Sequence, residues 1–170
     1  ILPAGFSPLL LIVDRNFYQE FTITLPIDNK KDLKKVLSLE YPNVDGFFTY
    51  IHPSEQGQSS ITVWKFSKAV PAAFIMLPES FLFTHALKLN HFIYSEINHV
   101  YFTRTSQGIS SLPKNDLINS VEKFANASST FVEYNTVISK DKYKGELFKS
   151  LISMKLQYFT CFMRPSNIPK

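Results

Sequence analysis

The stretch from Leu9 to Leu25, LLLIVDRNFYQEFTITL, constrains this chain more than any other. Leu9-Leu10-Leu11-Ile12-Val13 is a continuous apolar run, the pattern of a strand covered on both faces. After Asp14-Arg15-Asn16, residues Phe17, Gln19, Phe21, Ile23 and Leu25 share one face of a second strand, with Tyr18, Glu20, Thr22 and Thr24 on the other. A buried strand turning back into a half-exposed one, closed by Pro26, predicts the middle and flank of a single sheet.

A chain of 170 residues has room for one domain, or for one domain split into two lobes. With 45% hydrophobic residues, 16 Phe and 8 Tyr, it has ample material for a core, which excludes global disorder. The net charge of +4 favours acidic partners or an anionic surface and is too small to imply nucleic acid by itself. One cysteine, Cys161, allows no internal disulfide and fits a reducing compartment. Its aromatic surroundings read it as a small buried apolar residue. The longest apolar run, AVPAAFIMLP from Ala69 to Pro78, contains prolines and is half the roughly 20 residues a spanning helix needs. No signal-peptide pattern is visible, and the start at Ile1 without methionine reads as a piece of something longer, with any membrane span expected outside it.

In chain order, Asp28 is placed to cap a helix over residues 29–41, with Leu33, Val36, Leu37 and Tyr41 forming its apolar stripe. Lys30, Lys31, Lys34 and Lys35 occupy the opposite side, either as a solvated surface or as a docking face for an acidic partner. Strands are expected over 47–52 and 61–66, the second with an aromatic face of Trp64 and Phe66. The first lobe therefore reads strand, strand, helix, strand, strand over residues 1–68. The second, 69–170, is expected to hold a strand at 72–77, a short helix from Pro78 to Leu87, and strands at 92–95, 99–105 and 108–112. A helix capped by Asn115 or Asp116 and carrying Leu117, Ile118, Val121 and Phe124 follows, then a strand at 130–134. A last helix is expected over about 140–156, with an extended or edge tail from Gln157.

The chemistry-bearing residues form no familiar constellation. His52, His85, His91 and His99 have no metal-ligand spacing, and no cysteine cluster accompanies them. The five glycines stand singly, whereas phosphate cradles need closely spaced glycines, so no nucleotide or other cofactor is expected. Acidic pairs such as Asp28 with Asp32 and Asp14 with Glu20 read as caps and turn residues. With no nucleophile, base and orienter assembled, the chain reads as a non-enzyme. The nucleic-acid alternative rests on Tyr101 and Phe102 beside Arg104, as base-stacking aromatics on a strand.

Several segments together resemble the cytoplasmic domain of the type II secretion L protein and its MSHA-type relatives in pilus biogenesis. They are a strand ending Thr24-Leu25-Pro26, the Lys-rich helix with Leu33, Val36, Leu37 and Glu40, and Asp45 before the next strand. ITVWKFSK, PAAFIMLPES, the hairpin HVYFTRTSQGISSLP and the helix near 116–124 follow in the same order. The resemblance covers most of residues 1–165. It implies a mixed α+β chain of the α/β class, a degenerate actin-like (RNase H-like) fold of mixed sheets with flanking helices. Active relatives of that fold follow a strand-ending Asp closely with Gly, whereas here Val13-Asp14-Arg15-Asn16 contains no glycine, so no catalytic residue is carried over. The stretch between ITVWKFSK and Pro71 also leaves little room for the helix expected there. The implied role is a scaffold on the cytoplasmic side of the bacterial inner membrane, docking an assembly ATPase and neighbouring membrane subunits, with room for a homodimer. The face of Lys30, Lys31, Lys34 and Lys35 is the expected contact. The alternative is a free-standing module that binds nucleic acid or another ligand.

Overall fold

The computed structural model of the chain describes residues 10–53, 57–71, 73 and 75–154. It is a mixed α+β structure. The strands are β1 (Leu10–Val13), β2 (Tyr18–Leu25), β3 (Phe47–Ile51), β4 (Ser59–Phe66), β5 (Ile75–Pro78), β6 (His91–Ser95), β7 (Val100–Arg104), β8 (Ile109–Pro113) and β9 (Tyr134–Ile138). The helices are α1 (Lys30–Glu40), α2 (Glu79–Thr84), α3 (Val121–Ala127) and α4 (Tyr143–Ser153).

The opening stretch departs from expectation. β1 and β2 belong to different sheets: β1 pairs in parallel with β5, Leu11 opposite Met76, while β2 pairs antiparallel with β4. A short 3-10 turn at Arg15–Phe17 separates them, with Asp14 accepting from the Asn16 backbone N–H at 2.9 Å. The β1–β5 ladder also joins residues on both sides of the expected division at residue 68. On β2 the buried face is the polar one at its start: Tyr18 is buried, whereas Phe17 and Phe21 are exposed. A continuous apolar run announces burial but carries no information about which distant strand supplies the hydrogen bonds.

The first large sheet has the order β2-β4-β3, with β2 and β3 each antiparallel to the central β4. α1 crosses over it and seats Leu33 and Leu37 on Ile61 and Val63. Its cap is Asn29, whose side chain accepts from the Lys31 N–H at 2.9 Å, so the helix begins one residue later than Asp28 would set. It stops at Tyr41 because a residue before proline is driven out of the helical region. Gly46, at φ 86°, supplies the left-handed turn into β3.

The second large sheet runs β8-β7-β6-β9: an antiparallel meander of three strands, then β9 in parallel beside β6, reached through α3. α3 is shorter than expected. Ser120, not Asn115 or Asp116, caps it, and the Asn115 side chain instead accepts from the Leu117 and Ile118 N–H groups in a turn. The last strand lies at Tyr134–Ile138 rather than 130–134, because the segment from Tyr134 pairs with β6 while the Thr130 hydroxyl donates to Asn90. The expected tail from Gln157, Cys161 included, lies outside the described residues, as do Ala72 and Phe74 of the expected strand at 72–77.

α2 sits at the centre, all six of its residues buried. Its Phe81 packs on Trp64 and Phe48 at ring-centroid distances of 5.9 and 5.1 Å. Burying side chains of this size is worth about 2–3 kcal/mol each, which makes this aromatic cluster the main joint between the β1–β5 ladder and the first large sheet.

Candidate docking groove and buried carboxylate network

The four lysines singled out from the sequence do not act as one group. All four are exposed on α1, but the helical period divides them into two pairs. Lys30 and Lys34, one turn apart, border a groove of about 650 Å³ between α1 and β3. Lys31 and Lys35 do not line it, and Lys35 lies 3.9 Å from Asp32 in an exposed ion pair. On the helix the groove continues over Ser38 and Tyr41; its other wall is Phe48, Tyr50 and His52 with their neighbours on β3. Among the described residues, no aspartate or glutamate lines it. His52 is buried, its Nε2 2.8 Å from the Thr62 hydroxyl, and burial, aided by the charge of Arg104, lowers its pKa to about 4. It is therefore neutral at pH 7 and adds no charge to the groove.

A second feature was invisible in the sequence. Glu20, read there as a turn residue, lies in the middle of β2 with its carboxylate turned inward. It accepts from Trp64 Nε1 at 2.7 Å, from the Ser111 hydroxyl at 2.9 Å and from the Ser80 hydroxyl. Glu79, fully buried at the start of α2, accepts from Asn98 Nδ2 at 2.8 Å, from the Tyr143 hydroxyl and from the Arg15 backbone N–H at 3.2 Å. The same Asn98 nitrogen reaches Asp14 at 2.8 Å, so one amide stands between two carboxylates. Burial raises the pKa of both glutamates, opposed by these hydrogen bonds. Arg15 completes the network by donating from Nε to the Ser111 carbonyl at 3.1 Å and lying over the Tyr18 ring.

This network joins β2, β4, α2, β8 and α4. Its acceptors are filled by fixed donors, and among the described residues no buried side-chain nitrogen or oxygen lacks a partner. No group of three His, Cys, Asp or Glu side chains among the described residues could hold a metal ion. The Glu79 side of the network could have been suspected from Pro78-Glu79-Ser80 opening a helix; Glu20 could not, because only the strand register places it opposite Trp64.

Tyr101 and Phe102, the aromatics that a nucleic-acid reading would need exposed, are both core residues. No helix among the described residues is long and apolar enough to cross a membrane. A comparison with known protein families finds no matching family model, and a search of curated proteins finds no match.

Proposed function

We propose that this chain is a non-catalytic scaffold domain of a bacterial secretion or type IV pilus assembly platform, built on a degenerate actin-like fold and docking an assembly ATPase. The observation that carries the reading is the second large sheet. A three-stranded antiparallel meander, a helix, and a fourth strand laid parallel beside the first is the arrangement expected for half of an actin-like (RNase H-like) domain. The absence of glycine after Asp14 supports loss of a phosphate site, since Arg15 and Asn16 occupy the turn and the Asp14 carboxylate is engaged by Asn16 and Asn98.

The docking role rests on α1, which presents four lysines to solvent and, among the described residues, pairs only Lys35 with an acid. Reversing all four charges (Lys30, Lys31, Lys34 and Lys35 to Glu) in the full-length protein should abolish co-purification with the assembly ATPase encoded beside it. Unchanged co-purification would exclude this helix as the contact. A membrane-spanning segment encoded downstream of Lys170 would fit the proposed location on the cytoplasmic side of the inner membrane.

A further inference from the structure

The groove between α1 and β3 runs along a strand edge that no other described strand pairs with. Gly46 O accepts from Phe66 N at 2.8 Å and His52 N donates to Ser60 O at 2.9 Å, so the even-numbered residues of this segment bond to β4. In an antiparallel pair the intervening residues point their backbone groups the other way. The N–H and C=O groups of Phe47, Thr49 and Ile51 therefore face away from β4, on the side where the order β2-β4-β3 places no further strand among the described residues. The groove is lined by Phe48 and Tyr50 from one face of β3 and by Thr49 and Ile51 from the other, which places it along the edge rather than over a face. Its far wall carries Lys30 and Lys34 and, among the described residues, no acidic side chain.

We infer that this groove accepts an extended, acidic segment of a partner protein, added as a further strand at the edge of β3 formed by the outward backbone groups of Phe47, Thr49 and Ile51. Backbone hydrogen bonds to Phe47, Thr49 and Ile51 would hold the segment, while alternate side chains select it. Leu33 and Leu37 of α1 pack on the same sheet face as Phe47 and Ile51, so side chains of the added strand on that face meet the two lysines and should be acidic. Those on the opposite face meet Phe48 and Tyr50 and should be apolar. The inference rests on the docking reading of α1 given above and adds the partner's chemistry and its mode of binding.

The test uses a fluorescein-labelled octapeptide of alternating Glu and Val, followed by anisotropy at low salt. The wild-type protein should bind it, and the Lys30→Glu/Lys34→Glu variant should bind at least tenfold more weakly. The Lys31→Glu/Lys35→Glu variant, with the same charge change on the other side of the helix, should differ less than twofold. The same octapeptide N-methylated at its four central amides should lose at least tenfold, a test that leaves the protein unaltered. No binding by the wild type, equal binding of an alternating Lys-Val octapeptide, indifference to N-methylation, or equal damage from the two charge variants would each overturn the inference. A homodimer dissociated by Lys30→Glu/Lys34→Glu would assign the groove to a second copy and overturn it as well. Peptide binding of the expected pattern in a protein whose co-purification with the ATPase survives reversal of all four lysines would support the inference and overturn only the assignment of α1 as the ATPase contact.

Discussion

Glu20 and Trp64 stand directly opposite one another on β2 and β4, and the indole N–H donates to the carboxylate at 2.7 Å. The pair lies where the two large sheets and α2 converge, because the same carboxylate also accepts from Ser80 on α2 and Ser111 on β8. Replacing Glu20 with alanine strands three donors at once. Leaving a buried donor unpaired costs about 1–3 kcal/mol, and the three share solvent access once the side chain is gone. Glu20→Ala should therefore lower stability by about 2–4 kcal/mol in urea unfolding. A loss below about 1 kcal/mol would show that the network contributes little to the fold.

Glu79 has its pKa raised by burial, and the sign of its pH dependence follows. In the window above the ordinary carboxylate range, the folded chain holds a proton that the unfolded chain has released. The stability contribution is complete below the ordinary value and is lost as pH rises through the folded one. Glu79→Gln should flatten that decline. Urea midpoints collected from pH 4 to pH 7 for the two proteins would reveal it, and parallel curves would refute the assignment.

His52 acts in the opposite direction. Its pKa falls from 6.5 to about 4, so between those values the unfolded chain binds a proton that the folded chain rejects. Its contribution is present above pH 6.5 and lost as the pH falls toward 4, by up to about 3 kcal/mol. His52→Gln, which keeps a hydrogen-bonding group near Thr62, should lose less stability than the wild type on acidification. NMR titration of the His52 ring gives a direct check: a midpoint near 6.5 would contradict the buried, neutral imidazole.

Gly108 sits at the tip of the β7–β8 hairpin where it meets the first large sheet. A Cβ there would lie 2.6 Å from Thr22 Oγ1 and 2.7 Å from Thr62 Oγ1. Thr62 cannot retreat readily, since it is fully buried and its hydroxyl accepts from the Ile109 N–H at 3.1 Å. Gly108→Ala should cost about 1–3 kcal/mol. Adding Thr22→Ala should restore part of that loss, and strict additivity of the two changes in denaturation experiments would argue against the contact.

Asn29 holds the first turn of α1 by accepting from the Lys31 N–H. Asn29→Ala should cost about 1 kcal/mol of stability without changing the charge of the lysine face. Thermal unfolding measures the first effect, and the octapeptide titration should register almost none of it.

How much could be read in advance depended on the range of the interactions involved. The α1 stripe, the alternation of β4 and the β7–β8 hairpin were legible because each is set by residues within about ten positions, through periodicity, caps and turn chemistry. The partner of β1 was not, since parallel pairing with β5 joins Leu10 to Ile75 and leaves no local trace. For the same reason the lysines of α1 were visible as a group while their division was not: only the position of β3 makes Lys30 and Lys34 the walls of a groove and leaves Lys31 and Lys35 outside it. α3 was misplaced by a few residues because Asn115 spends its side chain on a turn, a use that competes with helix capping in any sequence, and β9 because its parallel pairing with β6 is set by a distant strand.

A bare strand flank is also a hazard to the molecule that carries it, because a neighbouring copy can zip onto it and begin a growing stack. Lys30 and Lys34 stand beside the flank of β3 that no described strand covers, so two copies meeting edge to edge there would bring four ammonium groups together. That repulsion reaches about 8 Å at physiological ionic strength and shortens as salt is added. The two cations beside β3 would thus act as a guard on colloidal behaviour, and concentrated solutions of the protein should cloud more readily as salt is added.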